Sequence, residues 1–271
     1  MNESIKPSGL ISRPNAAFKS LRDYTSARVA LSLAGTSIAT TDILDFQLAH
    51  AQARDAVHAE FDLVAFASRL REELPSLEKF HVPVLTLNSA AVDREEYVRR
   101  PDLGRVLAEE SASRLRSSPC DVVFIVADGL SAIAPERNAI PLFSAALPRL
   151  LDAGWACGPV CVIEHARVAI GDHVGSLLGA SISVVLIGER PGLSSHDSLG
   201  AYITWQPQPG RTDAERNCIS NIRHGGLSHA EAADRLLWYL NEARTRRLSG
   251  TSLKEEAKAV GQNQFRRREQ S

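Results

Sequence analysis

The chain has 271 residues, 44% of them hydrophobic and 23% charged, with Lys+Arg 31 against Asp+Glu 32. That length carries one large domain or two small ones, and the composition excludes wholesale disorder. A formal net charge of -1 excludes the basic footprint of a nucleic-acid binder, and no apolar run reaches the roughly 20 residues of a membrane span.

Residues 1–20 carry Lys6, Arg13 and Lys19 against Glu3, broken by Pro7, Gly9 and Pro14. They lack the apolar stretch of a secretory signal and read as a flexible basic arm, with a short targeting or docking helix as the sharper alternative. Residues 21–110 read as a helical N-terminal region. Thr40, Thr41 and Asp42 offer N-cap chemistry for a helix over 43–59, with Leu44, Phe46, Leu48, Ala51 and Val57 as its apolar face. A second helix runs over 61–74, closed by Pro75. His50 and His58 on these helices read as structural rather than as ligands.

Residues 111–250 change character. Segments 82–87, 121–127, 160–163 and 183–188 are continuous apolar strands. They alternate with helices over 141–153, opened by Pro141 in its first turn, and 169–178, followed by Gly179. That alternation predicts an α/β fold: a mostly parallel, Rossmann-like, doubly wound sheet behind the helical N-terminal region. Residues 202–206 read as an edge strand. Ser228 and Glu231 form a capping box opening a last helix to about Arg247, ended by Gly250. Residues 251–271 read as a disordered tail.

In such sheets ligands sit beyond the carboxyl ends of the strands. Asp128 and Glu189 are carboxylates at two such ends, and either a ligand role or simple turn chemistry suits them. The stretch Arg211-Thr-Asp-Ala-Glu-Arg-Asn-Cys-Ile-Ser-Asn-Ile222 crowds hydrogen-bonding groups around Cys218. It suits a loop gripping a polar, amide-decorated ligand, or a well-bonded structural loop. There is no Gly-rich dinucleotide fingerprint, no phosphate loop and no zinc spacing. Ser131 and Ser194 follow a Gly-Leu but lack the second Gly of a nucleophile elbow, so an independent hydrolase is disfavoured. Cys120, Cys157, Cys161 and Cys218 form no CxxC pair and read as reduced thiols of a cytosolic protein.

Four motifs in order carry a resemblance. They are Thr25-Ser-Ala-Arg-Val-Ala30 with Leu44-Asp-Phe-Gln-Leu-Ala-His-Ala51; Arg100-Pro-Asp-Leu-Gly104 with Val126-Ala-Asp-Gly-Leu-Ser131; Ile187-Gly-Glu-Arg-Pro-Gly-Leu193; and Arg216-Asn-Cys-Ile-Ser-Asn221. Together they resemble the small (light) subunit family of ethanolamine ammonia-lyase. The resemblance implies an adenosylcobalamin-dependent lyase converting ethanolamine to acetaldehyde and ammonia. It implies a TIM-barrel large subunit that holds the substrate, so no catalytic residue and no metal site is expected here. The corrin would lie between the subunits, with cofactor contacts at Val168, Glu189 and Cys218, and cobalt would keep its own benzimidazole. Asp172-His173 lacks the spacing of a replacing histidine motif. Gly188 and Gly192 would admit close backbone beside the benzimidazole, while Glu189, Asn217 and Asn221 would meet peripheral amides. Asp45, Gln47 and His50 are candidate contacts to the large subunit. The family further implies a higher-order hetero-oligomer without nucleic acid or membrane, and packaging in a bacterial microcompartment through the basic arm. The alternative is a stand-alone corrinoid- or nucleotide-binding module without catalytic activity.

Overall fold

A computed structural model describes residues 28–29, 31, 33–34 and 37–253. The basic arm at 1–20 and the tail beyond 253 lie outside the described residues. A short hairpin, β1 (Leu33–Ala34) and β2 (Ser37–Ile38), precedes helix α1 (Thr40–His58). Helices α2 (Leu63–Glu73) and α3 (Pro75–Lys79) lead to strand β3 (Val84–Asn88). Two short helices, α4 (Arg94–Arg99) and α5 (Glu109–Arg114), precede β4 (Cys120–Ala127). Then come α6 (Ile133–Asp152), β5 (Cys157–Glu164), α7 (Ile170–Leu178) and β6 (Ala180–Gly188). Strands β7 (Leu199–Trp205) and β8 (Arg216–Ile222) and helix α8 (His229–Arg246) follow.

The six main strands form one sheet in the order β3-β5-β4-β6-β7-β8. The first four are parallel, and β7 and β8 run antiparallel at one side. The chain is thus a mixed α/β protein with a mostly parallel sheet. Alternation along β4 builds two cores: Val122, Phe124 and Val126 enter one, and Val123, Ile125 and Ala127 the other. The step from β4 to β5 and the step from β5 to β6 run in opposite directions across the sheet. Right-handed crossovers therefore put α6 and α7 against opposite faces, α6 in the first core and α7 in the second. Phe124 meets Phe143 of α6 edge-on at 5.4 Å between ring centroids.

Several expectations change. The segment 202–206 is not an edge strand, because β8 pairs with β7 on its far side. Pro141 lies inside α6 rather than in its first turn, together with Pro148. Pro141 faces solvent, so water can satisfy the carbonyl that a proline leaves unpaired. The cap of α1 is Ala39, with no side-chain hydrogen bond, in place of Thr40, Thr41 or Asp42. Pro75 opens α3 as well as following α2. Helix α8 ends on Arg247 in the left-handed region, φ 57, and Gly250 instead begins a short turn pressed against Ala214 and Glu215. Leu44 and Leu48 of α1, expected to face inward, are 57% and 60% exposed.

Candidate functional site

The site lies where β4, β5 and β6 end. There the loops after β4 and β6 touch: a Cβ on Gly188 would sit 2.1 Å from the Ser131 carbonyl oxygen and 2.4 Å from that of Asp128. Gly188 thus admits the neighbouring loop of the same chain, and its space is already filled, so it offers no slot to a ligand. A Cβ on Gly192 would meet only Ser195 Oγ, at 3.4 Å. Asp128 is buried and wholly engaged. Its Oδ1 accepts from the Gly129 and Ala166 amides at 2.9 and 3.3 Å, and its Oδ2 from Arg94 Nη1 at 3.1 Å. Burial pushes its carboxyl up, while Arg94 and His165 pull the other way. Asp128 is a structural group, the turn reading of the two left open above. Ser131 is fully buried and donates to the His196 carbonyl at 2.9 Å, which removes it as a nucleophile.

Tyr97 is buried beside Asp128. Its hydroxyl donates to the Ala166 carbonyl at 3.2 Å, and the guanidinium groups of Arg94 and Arg167 lie 4.9 and 4.1 Å from its ring centroid. Arg167 Nη2 donates to the Tyr97 carbonyl at 3.1 Å, and its Nε is buried without a partner. This stack fixes Arg167, and with it Val168, at the border of two open clefts.

The smaller cleft, about 440 Å³, is lined by Val168, Arg167, Gly129, Glu189, Arg190 and Tyr202 among others. The larger, about 650 Å³, is lined by Val168 and Arg167 again, with Arg105, His173, Arg211 and Arg216. Glu189 is a held acceptor. Ser220 Oγ donates to its Oε1 at 2.6 Å, and its Oε2 accepts from Ser198 Oγ at 2.5 Å and the Asn221 amide at 3.2 Å. Cys218 stands opposite Tyr202 across the β7–β8 pair. Along β8, Asn217 and Ile219 face inward while Cys218 and Ser220 are exposed on the side of Glu189. Crowding by its neighbours pushes the Cys218 thiol up to about 11.

The structure therefore brings Val168 and Glu189 to one cleft and places Cys218 beside Tyr202 at its margin. It does not leave Asn217 free. That side chain is buried, donating to the Gly250 and Leu253 carbonyls at 3.1 and 2.7 Å and accepting from the Gly250 amide at 2.7 Å. The stretch from Arg216 onward is a strand, not a gripping loop. Arg216, 2% exposed, makes a bidentate pair with Asp172 at 2.7 and 2.6 Å. Arg105 and Arg167 are lining residues that the sequence reading missed. The available signal was their position next to Gly104 and Val168. A Cβ on Gly104 would meet Arg167 Cγ at 2.9 Å.

Among the described residues, no group of three or more His, Cys, Asp or Glu is arranged to hold a metal ion. None of their helices is long and apolar enough to cross a membrane. A cleft bordering the carboxyl ends of parallel strands, as at Gly129, Val168 and Glu189, is the usual place for a ligand in an α/β protein. The description "Ethanolamine ammonia-lyase light chain (EutC)" matches residues 15–254, and the chain belongs to that family. It is 51% identical over 249 residues to the ethanolamine ammonia-lyase small subunit of Azotobacter vinelandii, covering 90% of each chain. It is 49% identical over 263 residues to that of Pseudomonas aeruginosa, covering 95% of this chain and 93% of the relative. The chain is accordingly a small subunit of a carbon–nitrogen lyase.

Proposed function

We propose that this chain supplies one wall of a corrinoid site in ethanolamine ammonia-lyase, the other wall coming from the large, TIM-barrel subunit that holds the substrate. The observation that carries the reading is the junction at Arg167 and Val168, where two clefts meet at the strand ends. The residues fit a corrinoid. Glu189 offers a fixed carboxylate to peripheral amides, Tyr202 and Val168 offer apolar surface, and the buried Arg167 Nε lacks a partner. Adenosylcobalamin, when bound, supplies the radical that starts the reaction. This chain's residues bind and orient it: Glu189, Val168 and Cys218 hold the corrin, and Asn221 is held beside Glu189 through its amide. The Rossmann-like, doubly wound description of residues 111–250 belongs to the same reading.

Cobalt keeps its benzimidazole on this account. His173 Nδ1 accepts from the Leu107 amide at 3.0 Å, and burial lowers its pKa. An EPR spectrum of the loaded complex showing a protein histidine nitrogen on cobalt contradicts this. Ile43, Leu44, Phe46 and Leu48 are exposed on α1 and form, with Asp45, Gln47 and His50, the proposed large-subunit contact within a higher-order hetero-oligomer. A cytoplasmic setting, inside a microcompartment addressed by the basic arm, completes the proposal.

The test is reconstitution. Ethanolamine deamination that needs both chains and adenosylcobalamin supports the reading. Tight corrinoid binding by the lone chain, with no gain from the partner, favours a stand-alone carrier instead.

A further inference from the structure

We infer that the arginine-lined cleft beside Val168 is a seat for a phosphoryl group. The cleft of about 650 Å³ carries four guanidinium groups, and their partners differ. Arg216 is committed through both Nη atoms to Asp172, Thr204 Oγ1 at 3.0 Å and the Arg211 carbonyl at 2.9 Å; its Nε, like that of Arg167, is buried without a hydrogen-bond partner, so neither Nε distinguishes the two. Arg211 is spent on Glu215 and on the Gln206 carbonyl at 3.2 Å. Two cations remain. Arg105 is exposed and, among the described residues, its side chain makes no ion pair or hydrogen bond. Arg167 donates through Nη2 alone, and its Nε is buried without a partner.

The acidic residues do not offset them. Asp172 is neutralised inside its bidentate pair. Asp213 is exposed and reaches only Arg216 Nε, at 3.6 Å. His173 uses Nδ1 as an acceptor, so it lines the cleft as a neutral ring. Below the cleft α7 begins, and the amides of Val168 and Ala169 ahead of it donate to no backbone carbonyl among the described residues. Arg105, which has no partner, and Arg167, which is held only by Tyr97 and pairs with no carboxylate, stand beside a helix start and offer donors to a tetrahedral oxyanion, with the fork geometry of arginine suited to two of its oxygens.

Two sources present that chemistry. One is the phosphodiester of a cobalamin nucleotide loop, which the proposed function would bring here, and to that extent the inference rests on that reading. The other is a free phosphate or phosphate monoester. The experiment uses the two-chain complex, as wild type and as Arg105→Gln, with Arg167→Gln as a second variant. Arg105→Gln removes an exposed, unpaired side chain and leaves the fold intact. Affinities are measured by absorbance titration for cobalamin, for cobinamide phosphate and for cobinamide, and by calorimetry for inorganic phosphate. Expected is a loss of about 10-fold or more for cobalamin and cobinamide phosphate in Arg105→Gln, with cobinamide unchanged. Equal losses for all three corrinoids, or no loss for any, overturn the inference. If wild type binds no corrinoid but binds inorganic phosphate, and Arg105→Gln weakens that binding, the seat stands for a free phosphate and the corrinoid reading falls. If wild type binds cobalamin and cobinamide equally and inorganic phosphate not at all, the corrinoid reading stands and the seat falls.

Discussion

Exposure sets Cys218 apart from the other three thiols. Burial pushes Cys157 and Cys161 up to about 12, and Cys161 is fully enclosed. Cys218 is exposed, beside Tyr202 and near Glu189. Iodoacetamide is therefore expected to label Cys218 first, slowly at neutral pH and faster as pH rises toward 11, because the thiolate is the nucleophile. Mass mapping that finds Cys157 or Cys161 modified first contradicts this. Glu215 is an acid-sensitive group that pairs with Arg211, a residue lining the larger cleft. Hydrogen bonds from Thr212 and Arg211 hold its carboxyl down to about 2, against an ordinary 4.5. The folded state binds this proton more weakly than the unfolded chain. Its contribution is complete above 4.5 and is lost as pH falls toward 2. Glu215→Gln is expected to lower stability at neutral pH and to flatten the stability–pH curve in that window, so that variant and wild type converge as pH falls toward 2. An unaltered curve contradicts the assignment.

Elements that announce themselves do so by local chemistry. The parallel strands are continuous aliphatic runs because helices cover both their faces, and all four were readable as such. The capping box of α8 was readable too, and it forms as expected, with Ser228 and Glu231 exchanging hydrogen bonds. Ser228→Ala is expected to cost about 1 kcal/mol in a denaturant titration, and a loss near zero would mean that packing alone starts the helix. Strand β8 hid itself because its inward Asn217 is polar and its outward Cys218, Ser220 and Asn221 resemble a loop. Only a distant segment, Gly250 to Leu253, satisfies Asn217. Helix α1 misled in the opposite sense. Its apolar spacing predicts a helix correctly, but periodicity does not say what covers the apolar face.

At the scale of the whole molecule, the site follows from topology. Opposed crossovers open the strand ends, and the antiparallel β7–β8 pair extends the floor so that Cys218 reaches the same side as Glu189. Glu189 could be singled out from its place at a strand end, whereas Val168 entered only through the family resemblance. Arg105 and Arg167 were missed, since a solitary arginine in sequence looks like ordinary surface charge, and only their places beside Gly104 and Val168 set them apart. The exposed apolar residues of α1 belong to this scale as well. Leu44→Glu combined with Leu48→Glu is expected to leave the melting temperature of the lone chain nearly unchanged while preventing co-purification with the large subunit. Retained assembly would move the contact elsewhere.

The most direct measurement is a structure of the two-chain complex loaded with cobalamin. The account predicts corrin density against Val168, Glu189 and Cys218, at the strand ends where the two clefts meet. Corrin density away from all three residues would contradict it.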